Sequence, residues 1–288
     1  MNSFSQRYGF KPIKNIIQVD SMDEDLRTSL WNALQTFYLD MAKKAFSNSI
    51  QNANAYQLSK NFFKIIWIDY FKKPLTSLSS NYLIILDDIQ NYFFKCQWFE
   101  VYDFIEFIAN QNVLTYINKE FKEYCNEILK RELSGYRFIY NLITPITSEI
   151  EIAAIEDALK NSEPYKTVNA HLYRALELLS DRKSPDYRNS IKESISSIEA
   201  FLKQITEEKD FTSAINKIEN KIGIHQALKI AFIKLYGYAS DADGIRHALM
   251  DEASLDFEDA KFMLVSCSAF VNYLIVKIEK SKNTGYSK

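Results

Sequence analysis

Hydrophobic residues recur along this chain mostly at intervals of three and four. Leu26, Leu30, Leu34, Phe37 and Met41 follow at spacings of four, four, three and four, which is one face of a helix. Ser21-Met22-Asp23-Glu24 ahead of them has the S-x-x-E form of a capping box, so a helix is predicted from there to about Ser47. Further helices are predicted over about 56–72, 77–95, 97–109 and 113–133; the last carries Lys119, Lys122, Lys130 and Arg131. Phe62-Phe63, Trp67 and Phe93-Phe94 recur at helical spacing, which reads as core packing and not as an exposed set for stacking RNA bases. Residues 1–20 read as an arm with a short extended piece over 16–19.

The periodicity changes after Ser134-Gly135. Tyr136-Arg137-Phe138-Ile139-Tyr140 and Leu142-Ile143-Thr144-Pro145-Ile146-Thr147 are rich in β-branched and aromatic residues, a small β-hairpin whose second run lies at an edge because Pro145 cannot donate. Ser148-x-x-Glu151 is a second capping box and opens a helix to about Asn161. The polar stretch 161–167, with Pro164, reads as a domain boundary. Beyond it helices are predicted over 171–180, 186–206, 211–219, 224–237 and 256–280, with a loop over 240–244 and a short helical turn over 245–250. Ser184-Pro185 reads as an N-cap with Pro at the first helical position. Ile191, Ile195, Ile198, Leu202 and Ile205, spaced four, three, four and three, form the seam of a helix bundle.

Composition sharpens this picture. The chain has 288 residues, 47% of them apolar and 25% charged, but only 6 Gly and 5 Pro. So few breakers leave little room for the turns of a sandwich or barrel. The fold class is therefore mainly α, in two helical parts with one small β-hairpin near 136–147: domain 1–162, and domain 163–288 as a helix bundle. No G-x-x-x-x-G-K-[ST] or G-x-G-x-x-G occurs, which weighs against phosphate-cradling loops. The net charge of −2 lacks the basic excess of a non-specific duplex binder. Cys96, Cys125 and Cys267 lie far apart and read as buried thiols in a reducing cytoplasm. The polar, basic start shows no secretory core. The uncharged stretch Phe262 to Val276 is shorter than the roughly 20 residues a bilayer needs, so it reads as a core helix, and no membrane partner is expected.

The chemistry-bearing residues are few. His171, His225 and His247 have no H-E-x-x-H spacing and no neighbouring Cys, so neither a metal nor another cofactor is expected. Asp241-x-Asp243-Gly244 fails as a calcium loop, because Ala239 and Met250 fall where carboxylates belong. Asp243 reads instead as a helix cap. Arg246-His247 follows it: Arg suits a phosphate and His can move a proton near neutral pH, together enough for metal-free phosphodiester cleavage. The alternative is a packing histidine beside an arginine paired with Asp241 or Asp243. Arg188 and Glu199 sit against the bundle seam, where a charge is costly unless paired, so they form an ion pair or line a cleft.

Three stretches resemble the AbiJ-type N-terminal domain, fourth class, of bacterial abortive-infection proteins: Ser5-Gln6-Arg7-Tyr8-Gly9-Phe10-Lys11-Pro12, Met22-Asp23-Glu24-Asp25-Leu26-Arg27-x-x-Leu30-Trp31-Asn32, and Ser134-Gly135-Tyr136-Arg137-Phe138 with Ile143-Thr144-Pro145-Ile146-Thr147. The resemblance covers about residues 1–160. Asp186-Tyr187-Arg188-Asn189-Ser190-Ile191-Lys192-Glu193-Ser194-Ile195 and Gly244-Ile245-Arg246-His247-Ala248 are similar to the helical HEPN-like module that often accompanies such domains.

The resemblance implies a phage-defence protein. HEPN ribonucleases typically dimerise, and paired Arg and His residues then cleave RNA without metal. Their Arg is separated from the His by four to six residues; Ser240, Asp241 and Ala242 hold those places before His247, and neither His171 nor His225 has an Arg there. Only His247 carries over, through G-x-R-H-A, with Arg246 as a displaced substitute.

Two functions follow as expectations. One is a cytoplasmic, homodimeric endoribonuclease with His247 and Arg246 catalytic, Arg188 and Lys192 binding RNA, and Glu199 and Asp243 structural or cleft-lining. The other is a non-catalytic sensing or dimerisation component of a defence system that works through protein partners.

Overall fold

The computed structural model describes residues 4–8, 10, 16–48, 50–112, 115–181, 184–240 and 255–283. It is mainly helical with one two-stranded antiparallel hairpin, as the sequence predicts. Two compact units divide at Thr147/Ser148. That is one helix earlier than the polar break at 161–167, because the helix before the break packs with the C-terminal unit.

The first unit contains α1 (Phe4–Arg7), α2 (Glu24–Leu34), α3 (Asp40–Ser47), α4 (Ala53–Ile65), α5 (Tyr82–Lys95), α6 (Trp98–Ala109), α7 (Thr115–Arg131), β1 (Arg137–Ile139) and β2 (Leu142–Thr144). The cap of α2 is Asp23, whose side chain accepts the Leu26 N–H; Ser21 does not cap it. Gln18 explains the shift, since its Oε1 takes the Asp23 N–H at 2.7 Å and fixes the entry of the chain. A π-helical turn, Gln35–Leu39, joins α2 to α3 and a second one, Ile66–Tyr70, extends α4. Each extra residue re-phases the helix, so that Tyr38, Leu39, Ile66 and Trp67 all turn inward.

The core of this unit is aromatic. Leu26, Leu30 and Trp31 meet Phe62, Phe63, Phe93, Phe104 and Phe121. Tyr38 stacks on Phe62 with ring centroids 5.5 Å apart and meets Phe121 edge-on at 4.9 Å. Its hydroxyl, 2.8 Å from Asn118 Oδ1, satisfies the one polar atom brought inside. Phe94 alone of the named aromatics points outward, 39% exposed.

Gln18 and Val19 tie the start of the unit to the stretch 132–136 ahead of the hairpin. Gln18 donates its N–H to Leu133 O, accepts the Gly135 N–H, and reaches Glu132 O with its amide, all within 2.8 Å. A Cβ on Gly135 would sit 3.1 Å from Gln18 O and Val19 Cγ2, so glycine is needed for this approach. Tyr136 donates its hydroxyl to Val19 O, and Ser134 shares a 2.7 Å hydrogen bond with Tyr102. Arg27 donates to Phe93 O and Cys96 O, closing the carbonyl end of α5. In the hairpin Arg137 pairs with Thr144, Phe138 with Ile143 and Ile139 with Leu142. Its tip is strapped down by Lys122 and Asn110, which donate to Asn141 at 2.6 and 2.7 Å. Tyr140 there takes the left-handed conformation, φ 56°.

The second unit contains α8 (Glu149–Asn161), α9 (Lys166–Ser180), α10 (Tyr187–Thr206), α11 (Phe211–Ile222), α12 (Gln226–Ser240) and α13 (Phe257–Asn283). Ser148 caps α8 by accepting the Glu151 N–H. Helix α10 is capped by Asp186, with Tyr187 first, and not by Ser184. The reason is an Asx turn: Ser184 N–H goes to Asp181 Oδ1, and Asp186 Oδ1 takes the Asn189 N–H. Helix α10 is central and packs on α9 and α13. Ile191, Ile195, Ile198 and Leu202 form the buried seam, and Ile205 is half-buried at its end. Ser190, Ser194 and Ser197 are fully buried beside it. Each finds a carbonyl, Ser190 that of Ala175 on α9 at 2.8 Å, the others on α10 itself. Small side chains along this face let the two helix backbones come close.

Candidate functional site

Arg246, His247 and Asp243 lie outside the described residues, as do the loop after Ser240 and the short helical turn at 245–250. The other expected site residues are all on α10, and the structure spreads them along it. Arg188 is half-buried on the first turn, and Lys192, also half-buried, donates to Asn189 Oδ1 at 3.3 Å. Glu199 pairs with Lys203 at 2.8 Å, one turn on along the same helix. An Arg188–Glu199 pair does not form: eleven residues of helix separate them by roughly 16 Å, beyond the reach of both side chains. Glu199 lines a cleft and is in an ion pair as well, with Lys203 in place of Arg188.

That cleft is open, about 870 Å³, and lies between α9 and α10. Lys166, Thr167 and His171 line it from α9, and Ser196, Glu199 and Lys203 from α10. His171 Nδ1 lies 2.6 Å from Glu193 Oε2, both side chains about one-third exposed. The pair spans two helices, α9 and α10, which Ser190 also bridges through Ala175 O. Glu193 engages Nδ1, which leaves Nε2 as the ring nitrogen available to act as a base. The lining charges, two ammonium groups, one carboxylate and an imidazole, can place an anion near that base.

No local signal reveals this pair in the sequence. His171 and Glu193 stand 22 residues apart on separate helices. Only their place beside the apolar seams of α9 and α10, read as two helices packed on each other, would bring them together. Among the described residues, no three His, Cys, Asp or Glu side chains come together as a metal site. Cys125 and Cys267 are buried as expected, Cys96 is only half-buried, and all three are free. Burial pushes the Cys125 and Cys267 thiols well up, so neither is a nucleophile.

The first unit carries a different group. Glu106 on α6 accepts the backbone N–H of Ile143 in β2. Burial pushes its carboxyl up to about 7, and Asp103 adds to the rise against the backbone hydrogen bond and Lys122.

A family model described as AbiJ N-terminal domain 4 matches residues 2–161, more than half of the chain and up to the end of α8. No curated protein and no solved structure matches the chain.

Proposed function

The chain belongs to the AbiJ N-terminal domain 4 family, whose role is abortive infection against phage, and from that premise we propose that its C-terminal helical unit is a HEPN-like module that cleaves RNA without metal. The observation that carries this reading is His171, held at 2.6 Å by Glu193 and lining a cleft that also holds Lys166 and Lys203. Nε2 of His171 takes the proton of an RNA 2′-hydroxyl. The freed oxygen attacks the adjacent phosphorus, and the 5′-oxygen leaves and takes up a proton. The products are a 2′,3′-cyclic phosphate and a 5′-hydroxyl end. Lys166 and Lys203 offset the phosphate charge that grows in this step. Arg246 and His247 are the second pair to test beside it, with Arg188 and Lys192 as further RNA contacts. The protein acts in the cytoplasm, as a homodimer.

A second reading is a non-catalytic sensing or dimerisation component. The Lys203–Glu199 pair favours it, because it already neutralises one of the two cleft ammonium groups. Purified protein incubated with total bacterial RNA in EDTA separates the two. Cleavage by wild type, lost in His171→Ala or in His247→Ala, supports the nuclease and says which pair works. RNA left intact, with phage resistance unaffected by either substitution, supports the sensing component.

A further inference from the structure

Helix α13 is apolar on two opposite faces. Its inner face, with Ala260, Met263, Leu264, Cys267, Val271, Leu274 and Ile278, is buried in the second unit. Its outer face is only partly covered by the described residues: Phe262 is 59% and Val276 41% exposed, Ala269 is exposed, and Val265 and Tyr273 are half-buried. At 100° per residue these five positions fall within an arc of about 80°, diametrically opposite the buried face. The stripe runs between two neighbours within the unit. On one flank Asn272 donates to Ala154 O of α8, and on the other Phe270 stacks on Phe232 of α12. A helix apolar all round is ordinarily buried all round.

The order of residues along the stripe names what covers it. Glu258 and Lys280 lie on the same face, one beyond each end, with Glu258 and Asp259 in the first turn and Lys280 and Lys282 in the last. Reversing the helix about Ala269 places Phe262 opposite Val276, Val265 opposite Tyr273, Ala269 opposite itself, and Glu258 opposite Lys280. The stripe is therefore complementary to its own antiparallel copy in shape and in charge. A parallel copy would set acidic end against acidic end. The small Ala269 falls at the crossing, where two helix axes must approach to about 8–10 Å.

We infer that the outer face of α13 is a self-association surface, on which a second copy of this chain lays the same helix antiparallel, with the two-fold axis at Ala269. It gives the homodimer proposed above a surface, but on residues apart from the cleft, so RNA cleavage and association are scored separately. Phe262 to Val276 spans only about 21 Å of helix. The area such a contact buries falls below that of a standard stable interface, about 1,600 Å², so the association is concentration-dependent in the micromolar range.

Sedimentation of the full chain from low to high micromolar concentration measures it. Wild type moves from monomer to dimer, and Ala269→Arg, a change at an exposed position that leaves the helical circular dichroism intact, raises the dissociation constant roughly a hundredfold or more. Disulfide trapping in a Cys96→Ser background reads the orientation. Phe262→Cys mixed with Val276→Cys cross-links, and Phe262→Cys alone does not, because its two sulfurs stand about 20 Å apart. A chain monomeric throughout, a Phe262→Cys dimer formed as fast as the mixed one, or capture of the wild type by phosphatidylcholine vesicles through Phe262 would each overturn the inference. The last outcome would instead give the face to a bilayer, which a helix of this length and composition could enter.

Discussion

Glu106 holds the hairpin by a backbone atom, its carboxylate accepting the N–H of Ile143 from α6. The geometry asks for an acceptor, while burial disfavours the charge that makes Glu a strong one, and the carboxyl is pushed up to about 7.

This conflict has a pH signature. The folded state binds the Glu106 proton more tightly than the unfolded state does, so between about 4.5 and 7 the folded form carries more protons and stability falls as pH rises. Below that window the group is neutral in both states and costs nothing; above it the full cost applies, at most about 3 kcal/mol. Glu106→Gln keeps an acceptor for Ile143 without the charge. Urea unfolding should show it more stable than wild type at about pH 8 and equal to it at about pH 4. An equal gain at both ends would mean that charge is not the cause.

Tyr38 separates packing from hydrogen bonding in the first unit. Tyr38→Phe keeps the rings on Phe62 and Phe121 and loses only the bond to Asn118, at a cost of about 1 kcal/mol. Tyr38→Ala removes the ring from a fully buried site and costs about 3–5 kcal/mol. Chemical denaturation of the two variants should show this ordering with unchanged slopes.

Ser194 couples the bundle to the cleft. It is fully buried on α10, one residue after Glu193. Ser194→Val adds bulk at this fully buried position and destabilises by about 1–3 kcal/mol. The same strain should move Glu193 from His171. The His171 ring signals in a two-dimensional NMR spectrum would shift in Ser194→Val and stay in place in Ser194→Ala.

The catalytic reading predicts graded losses. His171→Ala removes the base and lowers cleavage of total RNA by about 10²–10⁴-fold. Glu193→Gln keeps a hydrogen-bond partner at Nδ1 but not the charge, and should fall between it and wild type. The 2′,3′-cyclic phosphate ends, read by their resistance to kinase-free adapter ligation, should vanish with the activity.

The helices were legible because their apolar residues repeat at three and four, and the hairpin because its composition changes abruptly after Gly135. Two caps were misplaced by two residues each, at Ser21 and Ser184, because side chains distant in pattern terms, Gln18 and Asp181, claimed the chain before the helix began. The compact units divide ahead of α8 and not at the polar break after it, because α8 has the buried face of a bundle helix, with Ile152, Ile155 and Leu159 inside. Glu199 could be placed beside the seam. His171 with Glu193 could not, since nothing in one helix reports the rotation of the next.

Gln18 gives the first unit a temporal order. It is bonded to residues 132–135, so the earliest described stretch of backbone after α1 has its partners in nearly the last part of the unit to be made. On a ribosome that synthesises from the N-terminus, α2 to α6 can collapse on their aromatic rings while this stretch still hangs loose. The strand-like contact closes only when Ser134-Gly135 has left the exit tunnel. A nascent chain halted before that point would present an unclasped unit, and one extended past it a closed one, so completion of the first unit is a signal that its own C-terminal end delivers.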